Sequence, residues 1–372
     1  MSSSARVANF GAGPSALPES VLDEAARGLL NFQNTGIGIA EISHRSKDFV
    51  AYLASVEQGI RRQLDVPPTH HILFLQGGGT GQFSAVVLNM LARHYLLKPN
   101  VAPVLDYVIT GSWSEAAHTE AKRIAGPATV RIAADGRGAG QIKIPTKDEY
   151  QFSDDPALIY YCENETVNGT QFAYEADADT AFPFDLLPKD RLLPLVGDYS
   201  SSFMSRPIPR LADHAIIYAG AQKNLGPAGL TIAIVRQDCV VDVDAAAALG
   251  APAVPICLSY KAFADKGSMP NTPSVFAVYV AGLVVKRNEE LGGPAYYEQY
   301  NRRKKDKVYE ALRLGEQKGV FKGHVKEGSG SWMNVVWVVL GEENEAKFLK
   351  GAEERGMKGL KGHRSVLIFA IF

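Results

Sequence analysis

The chain has 372 residues and carries 39 lysine and arginine residues against 40 aspartate and glutamate residues, a net charge of −1. Because these charges balance, no global field favours nucleic acid or a membrane surface, and any anion must be recognised locally. The apolar content of 46% is ordinary for a globular protein, and the length predicts two or three domains.

Cysteine content and the N-terminus predict the compartment. Three widely spaced cysteines argue against a disulfide framework and against a zinc knuckle; they are Cys162, Cys239 and Cys257. No secretory signal follows Met1, and we find no run of about 18 apolar residues that could cross a membrane. We therefore expect a soluble cytoplasmic protein that has no metal site.

The predicted elements alternate along the chain. Helical spacing of apolar residues predicts a helix at 47–66, and a short apolar run at 71–76 predicts a buried strand followed by a helix at 82–97. Further buried strands are predicted at 106–110, 157–162, 192–196, 215–219 and 230–235. A helical region at 280–314 leads to a terminal unit with a strand at 331–340 and a helix at 343–356. This order favours a helix-covered, mainly parallel sheet over about 70–260.

A glycine-rich segment, Gln76-Gly-Gly-Gly-Thr-Gly81, lies between a predicted strand and a predicted helix. Glycines let a ligand approach the backbone, and the amides of a helix N-terminus attract an anion such as phosphate. A tight turn without a ligand explains the segment equally well. Gln82 stands where a dinucleotide fingerprint requires glycine, so a nicotinamide dinucleotide is the weaker interpretation.

An acid and a lysine follow later strands. Asp198 comes just past a predicted strand, where a carboxylate could hold the charge of a protonated pyridine nitrogen or merely cap a turn. Lys223 lies in a segment of small residues, where a partly desolvated amine could form a Schiff base or could simply be a solvated loop lysine. Ligands of open α/β sheets collect at the carboxyl ends of strands. A phosphate cradle, an acid and a lysine in this order are typical of pyridoxal-phosphate enzymes.

Eight motifs extend this pattern along the chain. They are Asn9-Phe-Gly-Ala-Gly-Pro14, Ile42-Ser-His-Arg-Ser46, Leu75-Gln-Gly-Gly-Gly-Thr-Gly-Gln-Phe83, Thr110-Gly-Ser-Trp-Ser114, Glu163-Asn-Glu-Thr-Val167, Ala219-Gly-Ala-Gln-Lys-Asn224, Asn271-Thr-Pro273 and Lys361-Gly-His-Arg364. Chance could supply one of them, but hardly all eight in order. Over almost its whole length the chain resembles the phosphoserine aminotransferase family of class-V aminotransferases.

The resemblance implies an α/β fold of the aspartate-aminotransferase type, which is fold type I of the pyridoxal-phosphate enzymes. We expect a large domain with a mainly parallel seven-stranded sheet and a smaller α+β C-terminal domain that is incomplete at its end. The expected boundaries are 1–20 for an N-terminal segment that joins the small domain, 21–270 for the large domain, and 271–372 for the linker helix and small domain.

The resemblance also implies the cofactor, pyridoxal 5′-phosphate, and the roles of its contacts. Lys223 would form the Schiff base and move a proton between Cα of the substrate and C4′ of the cofactor. Asp198 would pair with the pyridinium nitrogen, and Trp113 would stack on the ring, although a lone tryptophan is more often a core residue. The remaining implied contacts are Thr166 to the ring oxygen, and Gly79, Thr80 and Gln222 to the phosphate. Asn271 and Thr272 would reach the same phosphate from the neighbouring subunit of a homodimer.

Two basic pairs, His44-Arg45 and His363-Arg364, stand where the family binds the substrate phosphate. Beyond them the family continues with a Gly-Gly-x-Arg-Ala-Ser strand and a final helix, whereas this chain reads Ser365-Val-Leu-Ile-Phe-Ala-Ile-Phe372. The arginine that the family uses for the substrate carboxylate is therefore missing. We expect cofactor binding to survive this change better than turnover does.

The implied reaction is reversible transamination of L-phosphoserine and 2-oxoglutarate to 3-phosphohydroxypyruvate and L-glutamate, in serine biosynthesis. One alternative is another pyridoxal-phosphate enzyme, such as a desulfurase, but the two basic pairs argue against it. Another is a catalytically impaired, truncated form that binds the cofactor and dimerises but turns over poorly. A nicotinamide-dependent oxidoreductase has little support without the glycine fingerprint.

Overall fold

The computed structural model describes residues 6–138, 140–341, 343–362 and 367–370, the last four by their backbone. The strands of this part of the chain are β1 Ala8–Asn9, β2 His70–Leu75, β3 Val104–Ile109, β4 Thr129–Asp135, β5 Leu158–Cys162, β6 Leu195–Asp198, β7 Ile216–Gly220, β8 Thr231–Arg236, β9 Phe321–Gly323, β10 Asn334–Val339, β11 Met357–Lys358 and β12 Leu367–Ala370. The helices are α1 Glu19–Leu30, α2 Lys47–Gln63, α3 Gly78–Leu97, α4 Ser112–Ile124, α5 Val243–Ala248, α6 Tyr260–Asp265, α7 Val275–Glu290, α8 Gly293–Gln317 and α9 Asn344–Glu354.

A seven-stranded sheet forms the centre of the molecule, in the order β2-β8-β7-β6-β5-β3-β4. Strand β8 pairs antiparallel with both of its neighbours, while every other pairing in the sheet is parallel. Because helices cover both faces of the sheet, the central strands are continuous apolar runs rather than alternating ones. The predicted fold class, a mainly parallel seven-stranded α/β sheet, is confirmed.

The two faces of the sheet belong to different hydrophobic clusters. On β7, Ile216 and Tyr218 face a cluster built with α3, α4 and α6, whereas Ile217 and Ala219 face a cluster built with α1, α2 and α7. This division follows from the two-residue period of a strand, which sends successive side chains to opposite faces. Two side chains that are neighbours on adjacent strands therefore share a face.

A smaller unit lies at the C-terminal end. Strands β12, β10 and β9 form an antiparallel sheet in that order. The inward side chains of β10, Val335, Trp337 and Val339, pack against α8 and α9. Strand β1 from the N-terminus pairs with β11, with Ala8 opposite Met357. The first described strand therefore pairs with a strand near the C-terminal end of the chain.

Most predicted elements are confirmed, with three corrections. The predicted strand at 192–196 lies at β6 instead, because Pro194 has no amide to donate to a sheet ladder, so Asp198 is the last residue of the strand rather than one just past it. The helical region at 280–314 is two helices, α7 and α8, separated at Gly292, whose φ is +106°. The edge strand β4 is not predicted, because only two of its residues, Ala133 and Ala134, are buried and it lacks a continuous apolar run. Among the described residues, no helix is both long and apolar enough to span a membrane.

Candidate active site

The glycine-rich segment forms the start of α3. Gly77 and Gly78 adopt φ values of +96° and +62°, which favour glycine, and turn the chain from β2 into the helix. The amide of Gly78 donates to the Thr231 hydroxyl at 2.9 Å. The first turn of a helix has no intrahelical acceptors, and the Gly79 and Thr80 amides have no acceptor elsewhere in the described part of the chain. The segment thus presents two unpaired donors to an anion.

Asp198 is a buried carboxylate at the carboxyl end of β6. Its Oδ1 accepts a hydrogen bond from the Ser200 amide at 2.8 Å, and its Oδ2 accepts one from the Tyr218 hydroxyl at 2.9 Å. Burial raises the pKa of Asp198, and the hydrogen bonds from Ser200 and Tyr218 oppose that rise because they stabilise the anion. The acid is thus a carboxylate that depends on its donors to remain charged.

Lys223 follows β7 by three residues, and the charge of Asp198 is close enough to affect its pKa. Burial lowers the pKa of Lys223 to about 8, and the negative charge of Asp198 acts in the opposite direction. Nζ donates to the carbonyl of Ala12. The neighbouring Gly13 has a φ of +144°, and a Cβ there would overlap Nζ. The N-terminal segment therefore passes directly over the lysine.

The cradle, the acid and the lysine meet at one edge of the sheet. A Cβ on Gly220, at the end of β7, would lie 3.8 Å from both the Gly79 amide nitrogen and the Ser200 hydroxyl. The Gly220 amide donates to that hydroxyl at 3.0 Å. The end of β7 therefore lies near the start of α3. The cradle after β2, Asp198 at the end of β6 and Lys223 after β7 therefore lie at a common edge of the sheet.

Glu165, three residues after β5, binds the start of α4, the helix that carries Trp113. The Glu165 carboxylate accepts the amides of Trp113 and Ser114, each at 2.8 Å, and the Ser114 hydroxyl at 2.6 Å. Burial raises the pKa of Glu165 to about 7, and these donors oppose the rise. The Trp113 side chain is 40% exposed, so it is a surface aromatic available for stacking rather than a core tryptophan. Thr166 is buried next to Glu165.

Three other predicted cofactor contacts, Gln222, Asn271 and Thr272, lie next to Lys223 or near the cradle. Gln222 adjoins Lys223, and its carbonyl accepts the Ser15 amide at 2.9 Å. Asn271 and Thr272 are exposed, and the Asn271 side chain donates to Gln76 Oε1 at 2.9 Å, next to the cradle.

The basic pairs are less closely tied to the cradle. Arg45 Nε donates to His44 Nε2 at 3.3 Å, and no hydrogen bond joins this pair to the cradle residues in the described part of the chain. His363 and Arg364 lie outside the described residues.

The residues present fit pyridoxal 5′-phosphate. That cofactor needs an amine for its aldehyde, an anion for its ring nitrogen and donors for its phosphate. Lys223 offers an amine whose pKa is lowered towards neutrality, and Asp198 offers the buried carboxylate. Gly79 and Thr80 offer unpaired amides at a helix N-terminus.

Several residues of this site had no assigned role in the sequence. Tyr218 and Ser200 support Asp198, Glu165 anchors Trp113, and Ala12 with Gly13 covers Lys223. The motifs Asn9-Phe-Gly-Ala-Gly-Pro14 and Glu163-Asn-Glu-Thr-Val167 contain three of these five residues, so their position in the chain was visible. The sequence does not reveal which residues they contact, because each contact depends on strand order and register.

Known proteins share both sequence and fold with this chain. The family model of class-V aminotransferases matches residues 7–370. A phosphoserine aminotransferase of Pseudomonas aeruginosa is 39% identical over 363 residues, which are 98% of this chain and 91% of the relative.

Two solved structures agree with these matches. The pyridoxal-phosphate-bound phosphoserine aminotransferase of Trichomonas vaginalis superposes with a TM-score of 0.84 at 33% identity, covering 99% of this chain and 95% of the other. The phosphoserine aminotransferase of Bacillus circulans subsp. alkalophilus gives 0.84 at 35% identity, with 99% and 93% covered. The fold, the common edge of cradle, acid and lysine, and these relatives together show that the chain belongs to the phosphoserine aminotransferases of the class-V aminotransferase family.

Proposed function

We propose that this protein catalyses the reversible transamination of L-phosphoserine and 2-oxoglutarate to 3-phosphohydroxypyruvate and L-glutamate, with pyridoxal 5′-phosphate as its cofactor. The observation that carries the proposal is Lys223, an amine with a pKa lowered to about 8, set beside the buried Asp198. A neutral amine is the nucleophile that an aldehyde requires. Relatives that are 39% and 40% identical to this chain are named phosphoserine aminotransferases.

The chain's own residues would divide the work as follows. Lys223 would hold the cofactor through its amine and would move a proton between Cα of the substrate and C4′ of the cofactor. Asp198 would pair with the ring nitrogen, and Trp113 would pack on the ring face. The bound cofactor supplies an electron sink for the charge left at Cα.

The remaining cofactor contacts are proposed by position. Gly79 and Thr80 would bind the phosphate through their amides, and Gln222 would add a side-chain donor. Thr166, buried beside Glu165, would contact the ring oxygen. These four residues are proposed to complete the cofactor site at the common edge of the sheet.

Substrate recognition requires cations for the phosphate of phosphoserine. We assign this role to His44 and Arg45, together with His363 and Arg364. Arg45 is exposed and forms no ion pair with a carboxylate in the described part of the chain, so its charge remains available to a phosphate. A guanidinium suits phosphate because its donors match two oxygens at once.

A homodimer is part of the proposal. Asn271 and Thr272 are exposed, and Asn271 lies beside Gln76 at the edge of its own cradle. In a symmetric dimer both residues would contact the phosphate bound by the neighbouring subunit. Sedimentation of the purified chain tests this, since a monomeric chain that turns over at full rate would exclude a shared site.

We also propose the domain boundaries and the compartment that the sequence analysis predicts. The pairing of β1 with β11 supports grouping residues 1–20 with the small domain of 271–372, leaving 21–270 as the large domain. The three cysteines are free thiols, which supports a reducing compartment and therefore the cytoplasm. Limited proteolysis would test the boundary near residue 270.

The direct experiment is a turnover assay of the chain with pyridoxal phosphate, L-phosphoserine and 2-oxoglutarate, with release of L-glutamate as the readout. Lys223→Ala should abolish turnover, and Lys261→Ala, at a partly exposed lysine of α6, should leave it unchanged. Arg45→Gln should raise KM for phosphoserine more than KM for glutamate.

Turnover with L-alanine but not with phosphoserine would assign the chain to a different aminotransferase activity. Nothing in the comparisons favours the alternative of an impaired form, and a chain that binds the cofactor but gives no turnover would establish it.

A further inference from the structure

Two tyrosines stand beneath the catalytic acid on the same face of the sheet. Strand β6 lies between β5 and β7, and Tyr218 is the register partner of Asp198 on β7. Cys162 is the partner of Asp198 on β5, so Tyr160, two residues earlier, points to the same face. Both tyrosines are fully buried, at 1% exposure or less. Their hydroxyls have no contact with solvent and must find partners within the protein.

The hydrogen bonds run in one direction, from Tyr160 to Tyr218 to Asp198. Tyr218 has one hydroxyl hydrogen, and it donates this to Asp198 Oδ2 at 2.9 Å. The Tyr160 hydroxyl lies 2.8 Å from the Tyr218 oxygen but 3.5 Å from Oδ2, and the longer contact is weak. Tyr160 therefore donates to Tyr218, which strengthens the bond that Tyr218 makes to the carboxylate.

These donors stabilise the anion of Asp198 against burial. Burial also raises the pKa of Tyr160 and of Tyr218, so both remain protonated donors at any working pH. The titratable groups that face Asp198 are Tyr160 and Cys162 on β5, Tyr218 on β7, Glu165 after β5 and Lys223 after β7. Within this set, Tyr218 is the side chain that donates directly to the carboxylate at normal hydrogen-bond distance.

We propose that Tyr218, supported by Tyr160, is a positioning residue that holds the shared proton on the ring nitrogen of the cofactor rather than on Asp198. A proton between Asp198 and that nitrogen can reside on either atom. Stabilising the carboxylate anion favours the state in which the nitrogen carries the proton. The amide of Ser200 on Oδ1 and the hydroxyl on Oδ2 also fix the plane of the carboxylate. The inference rests on the proposed function, because it requires the cofactor to bind.

The experiment measures the ring nitrogen directly. The apo-chain is loaded with pyridoxal phosphate labelled with ¹⁵N in the ring, and its ¹⁵N NMR shift reports whether the nitrogen is protonated. Three variants each remove one buried hydroxyl: Tyr218→Phe, Tyr160→Phe and, as a matched control, Tyr161→Phe. Tyr161 neighbours Tyr160 on β5 and is equally buried, but its hydroxyl bonds to Tyr199 and His214 on the opposite face of the sheet.

The inference predicts a graded result. Tyr218→Phe should lower the ratio of protonated to unprotonated ring nitrogen by about 10-fold or more, the effect of one hydrogen bond to a charged group. Tyr160→Phe should shift the resonance in the same direction by less, and Tyr161→Phe should leave it at the wild-type position. A wild-type resonance in Tyr218→Phe, or an equal shift in Tyr161→Phe, would overturn the inference.

Failure of the inference and failure of the proposed function are distinguishable. A wild-type chain that does not bind the labelled cofactor contradicts the proposed function, whereas a chain that binds it with unresponsive variants contradicts only the role of Tyr218. If Tyr218→Phe does not fold, Tyr160→Phe tests the inference instead. The absence of any ¹⁵N shift in that variant would overturn the proposed roles of Tyr160 and Tyr218.

Discussion

The lowered pKa of Lys223 makes a quantitative prediction about its reactivity. In the chain without cofactor, the neutral amine should appear with a midpoint near pH 8, because burial removes the water that stabilises the charged form. At pH 7.4 a pKa of about 8 leaves roughly 20% of the amine neutral, against less than about 0.1% for an ordinary lysine. The nucleophilic fraction is thus larger by a factor of roughly 200.

A substitution of Asp198 tests how its charge contributes to the pKa of Lys223. The carboxylate of Asp198 raises the pKa of Lys223, so Asp198→Asn should move the midpoint below pH 8 and increase the reactivity of the amine at pH 7. The same substitution removes the group that we propose to hold a proton on the ring nitrogen. We therefore expect the variant to label faster while its turnover falls.

The assay is pulse labelling of the apo-chain with acetic anhydride from pH 6 to pH 11, followed by mass spectrometry of the peptide that contains Lys223. Lys318, an exposed lysine after α8, reports the behaviour of the reagent in the same digest. A midpoint at or above pH 10 for Lys223 would refute the argument from burial. A midpoint that rises in Asp198→Asn would refute the electrostatic contribution of the acid.

Two further substitutions test contacts around the site. Gly13→Ala should weaken cofactor binding by about 10-fold or more, since alanine is strained at a φ of +144° and its Cβ would displace Lys223; Gly11→Ala, whose Cβ would meet nothing nearer than 3.1 Å, is the control in the same binding titration. Arg206→Met should destabilise the chain by about 3–5 kcal/mol, because it leaves the carboxylate of Glu163 buried without the ion pair at 2.5 Å. Thermal unfolding should show this loss, and the double variant with Glu163→Gln should recover much of it; equal melting temperatures for wild type and Arg206→Met would contradict it.

Local signals in the sequence predicted the parts of the site that depend on chain order. A strand followed by glycines predicted the cradle, and the apolar run before Asp198 predicted a strand end, although the strand begins at Leu195, after Pro194, and ends at Asp198. The small residues around Lys223 indicate a lysine that is partly desolvated. These features are encoded within a few residues of each other, so the sequence alone carries them.

The remaining parts depend on tertiary register. Nothing near Asp198 in the chain indicates that Tyr218 donates to it, because the contact exists only when β6 and β7 pair with Asp198 opposite Tyr218. Glu165 is likewise 52 residues from the Trp113 amide that it binds. Strand order decides such contacts, and a single sequence does not reveal it.

The pairing of β1 with β11 has a consequence for how activity appears during folding. Ala8 and Met357 are separated by nearly the whole chain, and contacts between such distant residues form late because a long loop must close first. The segment that continues from β1 carries Ala12, whose carbonyl accepts a hydrogen bond from Lys223. Lys223 should therefore be covered by the N-terminal segment only when the two ends of the chain meet. Recovery of cofactor binding during refolding is then a reporter of the final folding step rather than of the assembly of the central sheet.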